Sequence, residues 1–266
     1  MSPTLRTAPA RASISPYNSD SMNFSLLDKI DKSENAILAT VLGTEGHTYQ
    51  KRGARALFVQ DLHAPVWGNL GSLCVDQELV HAGGEALASG KPRLLEIDTS
   101  NTRDIDFGYG TYCGGKMKIL VEPVLLKHRA VYSVLGDRLR ERKVCYLSHV
   151  LDTGDLAVTD TAPAPAERVF VEEIPPLQPV CIFGATPLTR RVIHHLDGMD
   201  FEIRVQDWRP AHLEPLRGLV AVTCHTGDCT LDECHFVLVM SHDFRRDKEV
   251  VKQALASGCE YVGLLS

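Results

Sequence analysis

Apolar and polar positions change their spacing along the chain, and this change divides it into two parts. In the first part, apolar runs near residues 36–42 and 116–122 are separated by glycine-rich polar loops, as is typical of strands joined by irregular loops. From about residue 177 onward, strand-like and helix-like patterns alternate, and this succession indicates βαβ units. Such units form a parallel sheet with right-handed crossovers. The sequence therefore predicts an α/β protein, with an N-terminal α+β domain followed by a doubly wound parallel-sheet domain.

The same pattern divides the chain into four segments. Residues 1–20 are rich in Ser, Pro, Thr and Ala without apolar periodicity, and are interpreted as a disordered leader. Residues 22–126 are predicted to form the N-terminal domain. Residues 127–176 combine a basic helix with short, interrupted strands and are interpreted as a connector. Residues 177–266 are predicted to form the doubly wound domain.

Composition and charge exclude several classes of protein. The net charge is -6, and Lys and Arg are scattered along the chain, so the sequence offers no basic patch that would bind nucleic acid. The apolar runs are too short to cross a bilayer, and we find no N-terminal signal peptide. Eight cysteines in 266 residues are too sparse for a disulfide scaffold. We therefore expect a cytoplasmic protein that binds neither membranes nor nucleic acid, and whose cysteines are mostly free thiols.

The first βαβ unit of the C-terminal part is Rossmann-like and contains a candidate nucleotide site. Its first strand ends at Gly184, where the amides of the following helix would face a bound phosphate. Asp207 closes the second strand, where an acidic side chain can accept ribose hydroxyl groups. However, Thr186 stands where the dinucleotide fingerprint has its second glycine, which disfavours binding of NAD(P). His242 and Asp243 follow a later strand and are candidates for the same edge, or they only cap the next turn.

Two cysteines of the first part are candidate ligands or sulfur carriers. Cys74 lies where a loop becomes a helix, and a helix N-terminus lowers the pKa of a thiol. Cys113 is followed by Gly114 and Gly115, which allow a ligand to approach the backbone. Both thiols are soft groups suited to molybdenum or sulfur chemistry, although an unremarkable thiol is an equally good interpretation of each. We expect Cys74 and Cys113 to lie near one another on a concave face.

A third candidate site lies between residues 224 and 235. This segment contains Cys224, Cys229 and Cys234 together with two histidines, which are ligand types that suit zinc. Their five-residue spacing is not the Cys-x-x-Cys spacing of structural zinc, and burial of the cysteines is the simpler alternative. Cys224, Cys229 and Cys234 are therefore candidate metal ligands.

These features together resemble the XdhC/CoxI family of xanthine dehydrogenase accessory proteins. In the first part the similarity lies in three motifs, Gly53-Ala54-Arg55, the loop ending at Cys74, and Cys113-Gly114-Gly115. In the second part it lies in four motifs, the strand 180–185, Asp207-Trp208-Arg209-Pro210, Ser241-His242-Asp243 with Asp247, and the strand 261–265. The resemblance extends over residues 24–266.

The resemblance implies a function in metalloenzyme maturation. A member of this family would be a dimeric chaperone that binds molybdenum cofactor as cargo, protects it during sulfuration by a cysteine desulfurase, and delivers it to a molybdoenzyme client of the xanthine dehydrogenase type. The chain departs from the family at Ser72-Leu73, at His47 and Gln50, and at Thr186. These departures leave open a specialised relative that serves another enzyme.

The sequence is also compatible with two other functions. One is an NAD(P)-dependent oxidoreductase that uses the Rossmann-like domain, and the other is a metal-binding maturation factor that uses the segment 224–235. No base and hydride-acceptor pair stands out in the sequence, so the accessory protein is the leading hypothesis.

Overall fold

The computed structural model describes residues 22–59, 64–71, 73–98, 115–197, 199, 201–219, 222–227, 231 and 233–265, and for Leu73 and Cys74 it describes the backbone alone. The elements of the first part are α1 (Phe24–Lys32), β1 (Ala36–Gly46), β2 (Arg55–Val59), β3 (Trp67–Gly68), α2 (Leu73–Ser89), β4 (Arg93–Asp98), β5 (Gly115–Pro123), α3 (Leu126–Arg140), β6 (Cys145–Val150), β7 (Leu156–Thr159) and β8 (Val169–Ile174). Those of the second part are β9 (Gln178–Phe183), α4 (Pro187–Leu196), β10 (Phe201–Asp207), α5 (Pro210–Leu213), β11 (Val222–Thr226), β12 (Phe236–Val239), α6 (Phe244–Ser257) and β13 (Tyr261–Leu264). The predicted leader at residues 1–20 lies outside the described residues.

A five-stranded antiparallel sheet organises the first part, with the order β3-β2-β1-β5-β4. Because successive side chains of a strand point to opposite faces, β1 supplies both of the cores that flank this sheet. Ile37 and Ala39 pack with residues of α2 on one face. Leu38 packs on the other face with residues of α1 and α3. The sheet is therefore covered on both sides.

The stretch predicted as a connector is part of this packed structure. Helix α3 and the antiparallel three-stranded sheet β7-β6-β8 bury Leu135, Leu139, Leu147 and Ile174 in the same core as Leu38. The alternation of buried and half-buried residues along β6 is that of a strand with one face on a core. Residues 127–176 thus form the second layer of the first domain.

Two buried polar contacts join these two sheets. The Arg55 guanidinium of β2, which has no exposed side-chain surface, pairs with Glu172 of β8. His149 Nδ1 of β6 lies 2.8 Å from Glu122 Oε2 of β5, and both side chains are buried. Polar groups are buried at low cost only when they have partners, so these contacts fix how the smaller sheet sits on the larger one.

The second part confirms the predicted doubly wound parallel sheet. Its strands are all parallel, in the order β11-β10-β9-β12-β13. Ile193 of α4 packs on one face, and Val250 of α6 packs on the other. The chain leaves β9 toward β10 and later returns on its other side as β12, which places the topological switch point between β9 and β12. In the described part of the chain, no helix is long and apolar enough to span a bilayer.

Candidate functional site: the carboxyl edge of the parallel sheet

Gly184 brings the ends of β9 and β12 into direct contact. Its φ is +108°, a backbone conformation that residues other than glycine rarely adopt. A Cβ atom at this position would lie 2.4 Å from Cα of Ser241, which lies two residues after the end of β12. The glycine predicted to serve a phosphate is therefore required by the packing of the switch point itself.

The backbone amides after Gly184 are already used by the protein's own groups. The Ala185 amide donates to Asp207 Oδ2 at 2.7 Å, and the Thr186 amide donates to Thr189 Oγ1 at 3.0 Å. Pro187 has no amide hydrogen. The hydroxyl of Thr189 in turn donates to the Gly184 carbonyl oxygen at 2.6 Å. The turn is thus internally satisfied at the positions where a dinucleotide fold presents amides to pyrophosphate.

The carboxylate of Asp207 is also engaged in hydrogen bonds within the protein. It is fully buried, and besides the Ala185 amide it accepts hydrogen bonds from the Arg209 amide, Nε and Nη2 at 2.8–2.9 Å. Burial alone would raise the pKa of Asp207, but the hydrogen bonds from Arg209 and Ala185 outweigh it and lower the pKa. Asp207 is an ionised structural anion that links the β9 turn to Arg209.

Trp208 and two arginines form the outer part of this edge. The guanidinium carbons of Arg209 and Arg246 lie 4.2 and 4.4 Å from the centre of the Trp208 ring, within the range of cation–π contacts. Asp243 caps α6 by accepting from the amides of Arg245 and Arg246. The edge therefore presents an indole with two cations beside it.

His242 and Asp243 have different local roles. His242 has a φ of +60° and is exposed, so its ring is free of the buried core. Asp243 is the N-cap of α6, as one of the sequence alternatives holds. Behind them, Ser241 donates to the buried carboxylate of Asp247. Ser241 and Asp247 hold the β12–α6 turn against Gly184.

The predicted cysteine site of the first domain is described only in part. Cys74 belongs to the first turn of α2, as expected from its position in the sequence. Cys113 and Gly114 lie outside the described residues, so the proximity of Cys74 and Cys113 stays a prediction. Gly115 begins β5 and pairs with Gly46, and a Cβ there would lie 2.3 Å from the His47 carbonyl oxygen. Gly115 is thus required where β5 passes the loop after β1.

Asp76 is a candidate that the sequence analysis missed. It lies in the first turn of α2, two positions after Cys74, and only 8% of it is exposed. Burial raises the pKa of its carboxyl group, and among the described residues its Oδ1 has no hydrogen-bond partner. The signal in the sequence was an acidic residue at a helix N-terminus, which ordinarily indicates only a favourable interaction with the helix dipole.

The structure does not bring Cys224 and Cys234 together. Cys224 of β11 packs on the α4 face of the parallel sheet, whereas Cys234 packs on the α6 face. Cys234 is joined to Cys181 in a disulfide, whereas Cys145, Cys224 and Cys259 are free thiols. Cys229 lies outside the described residues. No group of metal-ligating side chains gathers among the residues that the structure describes.

Comparison with known proteins covers both domains. Residues 30–98 match the model of the XdhC and CoxI family, and residues 180–266 match that of the XdhC Rossmann domain. The chain is 24% identical over 271 aligned positions to a protein of Bacillus subtilis (strain 168) described as a probable xanthine dehydrogenase subunit, covering 89% of this chain and 81% of the relative. A crystal structure described as a xanthine dehydrogenase from Bacillus halodurans has the same fold, with a TM-score of 0.66 at 23% identity over 92% of this chain and 82% of that one. The chain belongs to the XdhC and CoxI family.

Proposed function

We propose that this protein is an accessory factor that binds molybdenum cofactor as cargo and supports its sulfuration and insertion into a molybdoenzyme of the xanthine dehydrogenase type. The observation that carries the proposal is the match of both domains, in chain order, to the XdhC and CoxI family. The similarity to a probable xanthine dehydrogenase subunit supports the same class of client.

The geometry of the carboxyl edge favours handling of a cofactor over hydride transfer. The residues present do not fit a nicotinamide dinucleotide, because the Ala185 and Thr186 amides are engaged within the turn. Asp207 is buried and bonded to Arg209, so it has no free oxygen directed at a ribose. We therefore infer that NAD(P) binds poorly and that the domain serves the accessory role without redox turnover.

The first turn of α2 is the part of the first domain best suited to the cargo. Molybdenum cofactor is an anionic ligand with a phosphate group and sulfur atoms, and a helix N-terminus attracts anions. Cys74 adds a soft side chain in that turn, and Asp76 adds a buried carboxyl group with an available oxygen. We propose that Cys113 and Gly114 lie on the same face.

The proposal includes specific partners. A cysteine desulfurase would supply sulfur to the bound cofactor, and the molybdoenzyme client would receive it. A homodimer in the cytoplasm is the expected form.

The experiment is deletion of the gene in the source organism, followed by purification of the client enzyme. We expect the client to be expressed and folded but inactive, because it would lack a competent cofactor. Complementation with the wild-type gene should restore its activity. Full client activity in the deletion strain would refute the accessory role.

A further inference from the structure

Three cysteines from three separate parts of the chain lie on the α6 face of the parallel sheet. Cys181 lies in β9, Cys234 lies just before β12, and Cys259 lies in the turn between α6 and β13. Cys181 and Cys234 belong to one hydrophobic cluster with Val237 and Val250, and Cys259 packs against this cluster. The first two form a disulfide with their Cα atoms 6.0 Å apart, and Cys259 is a free thiol.

The free thiol lies against the backbone of Cys234, one of the two bridged cysteines. Cys259 Sγ is 3.2 Å from the carbonyl oxygen of Cys234, and the Ser257 hydroxyl is 3.0 Å from the same sulfur. The backbone supports this placement, because the Glu260 amide donates to the His235 carbonyl oxygen at 2.8 Å. The residues after Cys234 and Cys259 are thus held together.

The three cysteines differ in their access to solvent. Cys181 and Cys234 are only 2% and 6% exposed, whereas Cys259 is half-buried. Thiol–disulfide exchange requires that the attacking thiolate reach a sulfur of the bridge. An external thiol reaches Cys259 much more readily than it reaches the buried bridge.

We propose that Cys259 is the exchange partner of the Cys181–Cys234 disulfide, and that the three residues form a thiol-exchange site. The Cys259 thiol loses its proton to water, and its thiolate attacks Cys234 Sγ. The Cys234–Cys259 bond forms as the Cys181–Cys234 bond breaks, and Cys181 leaves as a thiolate that takes up a proton. This step consumes no oxidant or reductant.

The moved bridge becomes the substrate of an external dithiol. One thiolate of the dithiol attacks Cys259 Sγ and releases Cys234 as a thiol. The second thiolate then attacks the mixed disulfide, which releases Cys259 and leaves the dithiol oxidised to its own disulfide. Cys259 thus transmits the redox state of the surroundings to a buried bridge between β9 and β12. Disulfides of this kind in a reducing compartment are usually transient or redox-sensing.

Two variants of the full-length protein test the proposal. In Cys181→Ser, oxidation should give a Cys234–Cys259 disulfide, detected by peptide mapping with mass spectrometry. In Cys259→Ser, reduction of the Cys181–Cys234 bridge by dithiothreitol should be about tenfold slower than in the wild type, because the relay is lost. Cys224→Ser is the control, since Cys224 lies on the opposite face of the sheet and should leave the rate unchanged.

Either of two results would overturn the proposal. One is that Cys234 and Cys259 both stay alkylatable in oxidised Cys181→Ser. The other is that Cys259→Ser is reduced as fast as the wild type. The measurement on Cys259→Ser tests the proposal even if Cys181→Ser fails to fold, because Cys259→Ser retains the native Cys181–Cys234 bridge.

Discussion

At the scale of single residues, Asp207 determines much of what the carboxyl edge can bind. Its carboxylate connects the β9 turn, through the Ala185 amide, to the guanidinium of Arg209. Arg209 in turn lies over Trp208. A residue that resembles the ribose-binding acid of a dinucleotide fold is therefore used here to organise the protein's own loop.

Replacing Asp207 by Asn should destabilise the C-terminal domain by about 2 kcal/mol, because the Ala185 amide and Arg209 lose the buried carboxylate that accepts their hydrogen bonds. The native pKa of Asp207 is lowered, so its ionised form stabilises the fold above the unfolded pKa of about 4, and this contribution disappears as the pH falls through the native pKa. The difference in unfolding free energy between wild type and variant should therefore be constant near pH 7 and shrink below about pH 4. Urea unfolding followed by the fluorescence of Trp208 in a Trp67→Phe background measures it, and a difference independent of pH would contradict the assigned ion pair.

Gly184 provides a second test at this scale. Gly184→Ala should cost about 3 kcal/mol, because the added methyl group meets the Ser241 backbone as well as requiring an unfavourable φ. Gly258→Ala is the matched control, since Gly258 also has a positive φ of +76° but has open space around its Cβ position. The control should cost only about 1 kcal/mol. Equal losses in the unfolding free energy of the two variants would show that the contact with Ser241 is unimportant.

At the scale of elements, the packing of the two sheets of the first domain depends on polar contacts that are far apart in sequence. The Arg55 guanidinium donates to the Gly53 carbonyl oxygen at 2.8 Å and to Glu172 across the interface. Since Arg55 is fully buried, it depends on Glu172 for its only carboxylate contact in the described part of the chain. The ion pair between Arg55 and Glu172 therefore holds β8 against β2.

Glu172→Gln should lower the unfolding free energy of the first domain by about 3 kcal/mol, because the guanidinium of Arg55 remains buried without a countercharge. Glu173→Gln is a suitable control: Glu173 is exposed and contacts only Tyr146 in the described structure, so its loss should cost less than about 0.5 kcal/mol. The fluorescence of Trp67 in a Trp208→Phe background during urea unfolding reports on this domain. Similar unfolding midpoints for the two variants would contradict the importance of the pair.

The sequence predicted the elements of the second domain better than the packing of the first. The succession 180–183, 187–196 and 201–206 is local, and it determines a βαβ unit without knowledge of distant contacts. The segment 127–176 was interpreted as a connector because Thr153-Gly154-Asp155 interrupts it, yet Gly154 has a φ of +71° in the tight connection between β6 and β7. The strand character of β6 depends on its burial against α3 and the larger sheet, which no local pattern contains.

The polar and covalent partners were not predictable for the same reason. Glu122 and His149 are 27 positions apart, and Cys181 and Cys234 are 53 positions apart. The first pair is brought together by the packing of the smaller sheet on the larger one, and the second by the order of strands in the parallel sheet. Asp207 was correctly placed at the end of a strand, but its engagement by Arg209 follows from the conformation of the turn after it.

At the scale of the whole molecule, the two domains contact each other where the turn after α3 meets β10. Arg142, just after α3, lies 3.7 Å from Glu202 of β10. Between α1, α3 and the β10–β11 side of the parallel sheet lies a cavity of about 610 Å³, whose lining includes Tyr132 and Leu219. The carboxyl edge of β9, β10 and β12 is a separate surface, built from none of the cavity's lining residues.

The central claim, that the protein carries molybdenum cofactor, is tested most directly by cofactor retention. Purified protein is loaded anaerobically with molybdenum cofactor and passed through a gel-filtration column, and molybdenum and pterin are measured in the protein peak. We expect about one cofactor per site in the wild type and in Cys145→Ala, whose thiol is buried in β6, and a loss of about tenfold in Cys113→Ala. Wild-type protein that elutes without molybdenum and pterin would contradict the account, and equal retention by the two variants would remove Cys113 from the site.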